Sequence, residues 1–270
     1  MTDFALVPED STVVHPDELA AIGAAINIQV AKHVGPAWGL QGTVSTFSSP
    51  ALVPAGFVPV VIRTNAGGVA GCHTDKGSVC AIVQYEPDWT WSVAASHEII
   101  ETLIDPTLSI KDSGPDPRDA TKQVSFIREA CDPCAGETYE ILVNQSVAVA
   151  NFCLPAYYAL SSGSLTWMEE NGSGSSITAP WTVGFDGYLT WLGPDGYYQL
   201  TSTNTIGPYT QDQIFANASK KNLRGAIDRF ADFKAPPHLR AGARSKVAVD
   251  DPRGTLRRND HLTKWLAKTH

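Results

Sequence analysis

The sequence predicts an α+β protein in which a mixed sheet lies behind a buried helix at residues 89–104. Two stretches carry apolar residues at helical spacing. Short runs rich in valine, isoleucine and aromatic residues surround them, separated by glycine and proline. We therefore divide the 270 residues into a domain with both helices at 1–160, a β-rich extension packed on it at 161–218, and an extended, partly helical basic tail at 219–270.

The first predicted helix spans residues 15–34. Asp17 is a suitable N-cap, and apolar side chains recur on one face at Leu19, Ile22, Ala25, Ile26 and Val30. Strands are predicted at 42–48, 58–63 and 78–84, where β-branched residues alternate with turn signals. The glycine-rich segment 67–71 is predicted to be a loop without a phosphate-binding role, because no Lys-Ser/Thr pair or strand-to-helix pattern accompanies it.

The second helix is predicted at residues 88–104. Asp88 or Thr90 would cap it, and Asp105-Pro106 would end it, because a residue before proline avoids the helical conformation.

Beyond this helix the pattern becomes mostly β. A loop is predicted at 111–122 and a short helix or strand at 125–130. Strands that close the core follow at 139–158, an exposed Gly/Ser-rich loop at 163–176 and a meander at 181–200. Helical segments are predicted at 211–230 and 262–267.

Charge is distributed unevenly along the chain. The net charge is −8, but residues 219–270 contain 13 Lys and Arg against five Asp and Glu. These charges are scattered rather than blocked, which favours a solvated or protein-docked tail over a nucleic-acid-binding arm. No apolar run of about 18 residues predicts a membrane span, and the first residues lack the pattern of a secretory signal. We therefore expect a cytoplasmic or virion-associated protein.

The chain has five cysteines: Cys72, Cys80, Cys131, Cys134 and Cys153. An odd number without a secretory signal favours reduced thiols. Cys131 and Cys134 have CxxC spacing, but no second CxxC or paired histidine follows, which disfavours a zinc ribbon. Buried thiols, or one local disulfide, are the simplest interpretation.

The 88–104 helix carries the residues most suited to chemistry. His97 and Glu101 are four positions apart and therefore lie on one helical face, as two ligands of one metal ion must. Glu98 stands beside that face, where the glutamate of a His-Glu-x-x-His motif acts as general base. In this sequence Glu101 replaces the second histidine.

The apolar flanks of this motif predict that it is buried. Buried carboxylates are costly unless they are paired or bound to a metal. The alternative is a surface helix with solvated glutamates, in which His97 makes an ordinary hydrogen bond. The sequence favours the metal-binding interpretation.

An ordered set of motifs resembles a group of bacterial and phage proteins of the zincin type. It consists of Ser96-His-Glu-x-x-Glu-x-x-x-Asp-Pro106, Glu129-x-x-Asp-x-Cys134 and Asn151-Phe-x-x-Pro155. The motifs also resemble, more weakly, those of the plant phosphate-induced (exordium) family. The resemblance covers about residues 65–160 and implies a zincin-like mixed sheet.

The resemblance to the gluzincin branch also implies a third metal ligand. A downstream glutamate completes such sites, and Glu129 matches it, with Asp132 three positions later. Asp132 itself, Asp105 and His73 are alternative ligands or neighbours of the ligands. Donors for a developing oxyanion would be His73, Tyr139, Tyr157 or Tyr158, although core packing is the simpler role for the tyrosines.

These residues predict a zinc-dependent hydrolase, most simply a metallopeptidase acting on peptides or proteins, with Glu98 as general base. Another divalent metal would also fit. The alternative is an inactive zincin-like structural or assembly protein, such as a phage virion component, that docks on protein partners through residues 219–270. The replacement of histidine by Glu101 and the appended tail favour this alternative.

Overall fold

Three β-sheets and two helices form the core of the computed structural model, which describes residues 1–66, 71–74, 79–88, 90–193, 196–203 and 206–208. A parallel arrangement dominates the first sheet and the others are antiparallel, which confirms the predicted α+β class. None of the described helices is long and apolar enough to cross a membrane. The helices predicted at 211–230 and 262–267, and the basic tail, lie outside the described residues.

The first sheet is mixed, with strand order β2-β1-β3-β5-β4. Its strands are β1 (Thr2–Pro8), β2 (Gly42–Thr46), β3 (Val58–Arg63), β4 (Gly71–Thr74) and β5 (Cys80–Gln84). Neighbouring strands are parallel except for β4, which runs antiparallel to β5 at the edge. Central parallel strands are covered on both faces, so β1 is a continuous apolar run rather than an alternating one.

The sequence analysis missed two of these strands. β1 lacks the period-2 alternation that marks a half-exposed strand. β4 begins at Gly71, in the glycine-rich segment that was predicted to be a loop. β1 is specified by pairing with the distant strands β2 and β3, whereas β4 is specified by pairing with β5, the next strand along the chain.

Helix α1 (Pro16–Ile28) lies against the first sheet and continues into a π-helical turn at Gln29–Val34 and a short helix α2 (Gly35–Trp38). The predicted N-cap was wrong. His15 caps the helix through Nδ1, which accepts from the Asp17 N–H at 3.3 Å, whereas Asp17 lies in the first turn. Proline at the first helical position explains this shift, since it has no N–H to satisfy.

Helix α3 (Trp91–Ile104) packs between β5 and a hairpin formed by β8 (Thr138–Leu142) and β9 (Ser146–Ala150). It ends at Asp105 before Pro106, as predicted. Of the two predicted caps, Thr90 has helical dihedral angles and makes no capping hydrogen bond, whereas Oδ1 of Asp88 accepts from the Thr90 N–H and hydroxyl at the start of the helix. Burial of nearly every position of α3 makes its polar side chains the unusual feature of the core.

The second sheet is antiparallel, with strand order β12-β11-β10-β7-β6. Its strands are β6 (Lys111–Asp116), β7 (Asp119–Ile127), β10 (Tyr188–Gly193), β11 (Gly196–Thr201) and β12 (Ile206–Pro208). The loop predicted at 111–122 was therefore wrong. The inward residues of β6 are Asp112, Gly114 and Asp116, and each aspartate is paired with an arginine, so the strand has no apolar alternation to reveal it.

The strands that follow residue 160 extend the antiparallel sheet that the β6–β7 hairpin begins. Trp191 of β10 pairs with Phe126 of β7, and their rings belong to one aromatic core. Strand structure begins at 188 rather than at the predicted 181. The loop predicted at 163–176 contains one helical turn, α4 (Trp167–Glu170), which Thr166 caps through its hydroxyl.

Candidate metal centre

The helical spacing brings His97 and Glu101 together on the face of α3 that looks toward residues 129–132. Nε2 of His97 lies 3.2 Å from Oε1 of Glu101. The Glu101 side chain is only 4% exposed and that of His97 16%. Pairs four residues apart meet on a helix, so this half of the site depends only on α3 having formed.

The second half of the site is the segment that follows β7. Its backbone is held at both sides: Tyr158 donates its hydroxyl to the Glu129 carbonyl at 3.0 Å, and the Cys153 N–H donates to the Ala130 carbonyl at 2.7 Å. The Cys131 N–H donates to Oε1 of Glu101 at 3.1 Å. These hydrogen bonds hold the segment so that its side chains point toward α3.

Five donor groups meet where α3 and this segment touch. The ligand atoms of His97, Glu101 and Cys131 all lie within 4.8 Å of one another, and so do those of Glu101, Glu129 and Asp132. Asp132 Oδ1 is 3.2 Å from His97 Nε2. Ligand atoms held about 2.0 to 2.1 Å from a tetrahedral zinc ion stand roughly 3.3 Å apart, so these separations fit a metal ion.

Burial of so many acidic groups perturbs their protonation. Loss of solvent, and then the charge of Glu101, raise the pKa of Asp132 to about 7 and that of Glu129 well above its ordinary value. Burial lowers the pKa of His97, but Glu101 and the hydrogen bond with Asp132 outweigh it and raise that pKa well above 6.5. Without a cation the cluster therefore retains protons, which a divalent ion would replace.

Glu98 lies beside this cluster and against the edge strand of the first sheet. Its side chain is buried, and a Cβ atom placed on Gly71 of β4 would stand 2.7 Å from both Cγ and Oε1 of Glu98. The charge of Glu98 also acts on His97, Glu129 and Cys131. Glu98 is thus placed between the donor cluster and the backbone of β4.

The structure directs several other predicted residues to different partners. Asp105 accepts the N–H groups of Thr107, Ser109 and Ile110 and so organises the turn after α3. The Tyr139 hydroxyl contacts Gln29 and His33, and the Tyr157 hydroxyl donates to the Thr182 carbonyl. For His73 only the backbone in β4 is described.

Cys131 is a member of the cluster that the sequence analysis did not select. It was interpreted with Cys134 as a buried thiol, and the described cysteines are indeed free and buried. Its place between Glu129 and Asp132 is the signal that would have identified it. Tyr188 was also missed: this residue at the start of β10 hydrogen-bonds to Asp132 and links the second sheet to the site.

Comparisons of the chain with models of known protein families, with curated proteins and with solved structures find no match.

Proposed function

We propose that this protein is a zinc-dependent hydrolase, most simply a metallopeptidase. The observation that carries the proposal is the convergence of His97, Glu101, Glu129 and Asp132 from two separate elements, with Glu98 beside them. His97 and Glu101 would bind the ion together with a carboxylate of the 129–132 segment, for which Glu129 is our first choice. The buried carboxylates of Glu101 and Asp132 and the partly buried one of Glu129, around one imidazole, suit a divalent cation, which would offset their mutual repulsion.

A bound zinc ion would supply Lewis acidity, lowering the pKa of a water molecule and polarising a carbonyl group. Glu98 would accept a proton from the attacking water and then deliver it to the leaving amine, the two roles of one general base and acid. The backbone of Gly71 lies so close to Glu98 that a Cβ atom there would stand 2.7 Å from its Cγ and Oε1. His97 and Glu101 would orient the reacting groups by holding the metal ion in a fixed position beside α3.

The edge strand β4 supports a peptide as the substrate. Among the described residues β5 is the only strand that pairs with β4, so the opposite edge of β4 presents backbone N–H and C=O groups. An extended peptide that paired with this edge would gain main-chain hydrogen bonds and would lie next to Glu98. A long helix packed on a sheet with an antiparallel edge strand also supports the zincin-like fold that the motifs suggest.

A second candidate function is that of a metal-free structural or assembly protein. It is favoured by the hydrogen bonding of His97, whose Nε2 approaches both Glu101 and Asp132 and can satisfy them by carrying a proton. In that case the network would stabilise the packing of α3 on the 129–132 segment. Protein partners would dock through residues 219–270, which lie outside the described part of the chain.

Metal content and peptide cleavage test the proposal together. We expect about one zinc ion per chain in the purified protein, measured by inductively coupled plasma mass spectrometry. The zinc should be lost when His97 and Glu101 are both changed to alanine. Glu98→Gln should retain zinc but cleave a peptide library at least about 100-fold more slowly.

Glu140→Gln is the matched control, because Glu140 lies in the β8–β9 hairpin and contacts Ser146 rather than the donor cluster. It should leave both metal content and cleavage unchanged. A folded protein that contains no metal after exposure to zinc would overturn the hydrolase proposal and leave the structural role.

A further inference from the structure

The thiol of Cys131 lies at the edge of the main apolar core, where that core meets the donor cluster. Its Sγ is 3.8 Å from the backbone oxygen of His97, and its ligand atom lies within 4.8 Å of those of His97 and Glu101. Cys131 and Glu101 are both buried. The sulfur therefore faces an imidazole and a carboxylate across the interface between α3 and the segment after β7.

The other described cysteines have apolar surroundings. Cys80 packs in the cluster formed by Val7, Phe57 and their neighbours on one face of the first sheet. Cys134 and Cys153 lie together within the aromatic core of the second sheet. Cys131 differs from all three because metal-ligating side chains from a second element stand beside it.

We propose that Cys131 binds the metal as a thiolate, together with His97 and Glu101, and that the site therefore selects zinc over magnesium or calcium. This inference concerns the site of the proposed function and rests on metal binding there, although not on catalysis. Magnesium and calcium require oxygen ligands, whereas a set of nitrogen, oxygen and sulfur suits a borderline-soft ion.

Binding of a divalent ion would also offset charge in this ligand set. On binding, the S–H bond of Cys131 breaks, a sulfur–metal bond forms and the proton passes to solvent. The Cys131 thiolate and the Glu101 carboxylate then offset the two charges of the ion. A fourth position remains for a carboxylate of the same segment, Glu129 or Asp132, or for water.

Cobalt substitution tests this ligand directly in the full chain. Co²⁺ bound by a thiolate gives a sulfur-to-metal charge-transfer band in the near ultraviolet, beside the visible bands of the ion. We expect this band in the unaltered protein and its loss in Cys131→Ser. Zinc affinity, measured by competition with a chromophoric chelator, should fall by more than about 100-fold in that variant.

Two variants serve as matched controls. Cys134→Ala removes an equally buried thiol three residues away, and Cys153→Ala removes a second buried thiol of the aromatic core. Both should keep the band. Survival of the band in Cys131→Ser, or its loss in either control while that variant remains folded, would overturn the proposal.

X-ray absorption of the zinc-loaded, unaltered protein makes the test independent of whether Cys131→Ser folds. One sulfur neighbour at about 2.3 Å is expected, and a shell of nitrogen and oxygen alone would overturn the inference. That second result would leave the hydrolase proposal standing, because a metal would still be bound. Absence of any bound metal would overturn both proposals, whereas a sulfur-bound zinc without peptide cleavage would support the inference and count against the hydrolase.

Discussion

At the scale of single residues, Glu18 shows how the core tolerates a carboxylate whose hydrogen-bond donor is a neutral indole. Its side chain is 4% exposed in the first turn of α1, and Nε1–H of Trp91 donates to its Oε1 at 2.6 Å. Burial raises the pKa of Glu18, although the hydrogen bond from Trp91 opposes the shift. The protonated form is therefore favoured by folding, and the ionised form costs stability.

Glu18→Gln should stabilise the protein more at pH 7 than at pH 4. With a folded-state pKa above the unfolded value of 4.5, the contribution of Glu18 is fully present below that value and is lost as the pH rises through the folded pKa. Glutamine keeps an oxygen to accept from Trp91 and does not ionise. Urea unfolding at the two pH values measures the difference.

The same change at the exposed Glu170 is the control for this prediction. It should alter stability by less than about 0.5 kcal/mol at either pH. If Glu18→Gln changed the unfolding free energy equally at pH 4 and pH 7, the assigned direction of the pKa shift would be wrong.

At the scale of elements, the packing of β4 on α3 leaves no room for a side chain at Gly71. A Cβ atom there would stand 2.7 Å from Cγ and Oε1 of Glu98, and the nearest displaceable group is that carboxylate. Gly71→Ala should therefore move Glu98, reduce peptide cleavage by at least about 10-fold and leave the zinc content unchanged. Unaltered cleavage with normal zinc would contradict the assignment of Glu98 as general base.

The segment that carries the second half of the donor cluster is anchored by Arg128. Its guanidinium binds both carboxylate oxygens of Asp112 and lies 5.5 Å from the ring of Trp38 and 5.7 Å from that of Tyr158. Lysine cannot reproduce a two-point contact. Arg128→Lys should lower stability by roughly 1 to 3 kcal/mol and zinc affinity by at least about 10-fold.

Arg118→Lys is the control for this prediction. Arg118 makes the same two-point contact with Asp116 and lies 4.2 Å from the ring of Tyr198, but it stands at the turn of the β6–β7 hairpin. It should reduce stability, measured by chemical unfolding, without changing zinc affinity. An equal loss of affinity in both variants would show that general destabilisation, rather than anchoring of the segment, weakens the site.

The parts of the site that were predictable are those that local chemistry determines. Helical period places Glu101 beside His97, and the proline after Asp105 ends α3, so both were evident from the sequence. The β6–β7 hairpin was hidden because Asp112 faces inward to meet an arginine 16 residues away. The contact of Cys131 with Glu101 spans 30 residues, a long-range pairing that no local pattern encodes.

At the scale of the whole molecule, Glu137 joins parts of the chain that share no sheet. Its carboxylate accepts from Nδ2 of Asn151 at 2.7 Å, from the Ser175 hydroxyl at 2.8 Å, and from the N–H and hydroxyl of Ser176. Oδ1 of Asn151 in turn accepts from the N–H of Met168 in α4. The network fastens residues 166–176 to the β8–β9 hairpin.

Glu137→Gln should lower the free energy of unfolding by roughly 2 to 4 kcal/mol, because an amide group would face donors that now share two charged oxygens. Chemical unfolding monitored by tryptophan fluorescence measures the change. Glu140→Gln, in the same hairpin, should cost less than about 0.5 kcal/mol. If the two variants were equally stable, the Glu137 network would not hold these elements together.

The position of β1 between β2 and β3 has a consequence for synthesis on the ribosome. Thr2–Pro8 is made before both of its neighbours in the sheet, which extend to residue 63. At about 5 to 20 residues per second, this apolar strand waits roughly 3 to 11 seconds for both partners. During that interval the nascent chain exposes the very surface that later becomes the interior, so β1 depends on protection from aggregation until β3 has been made.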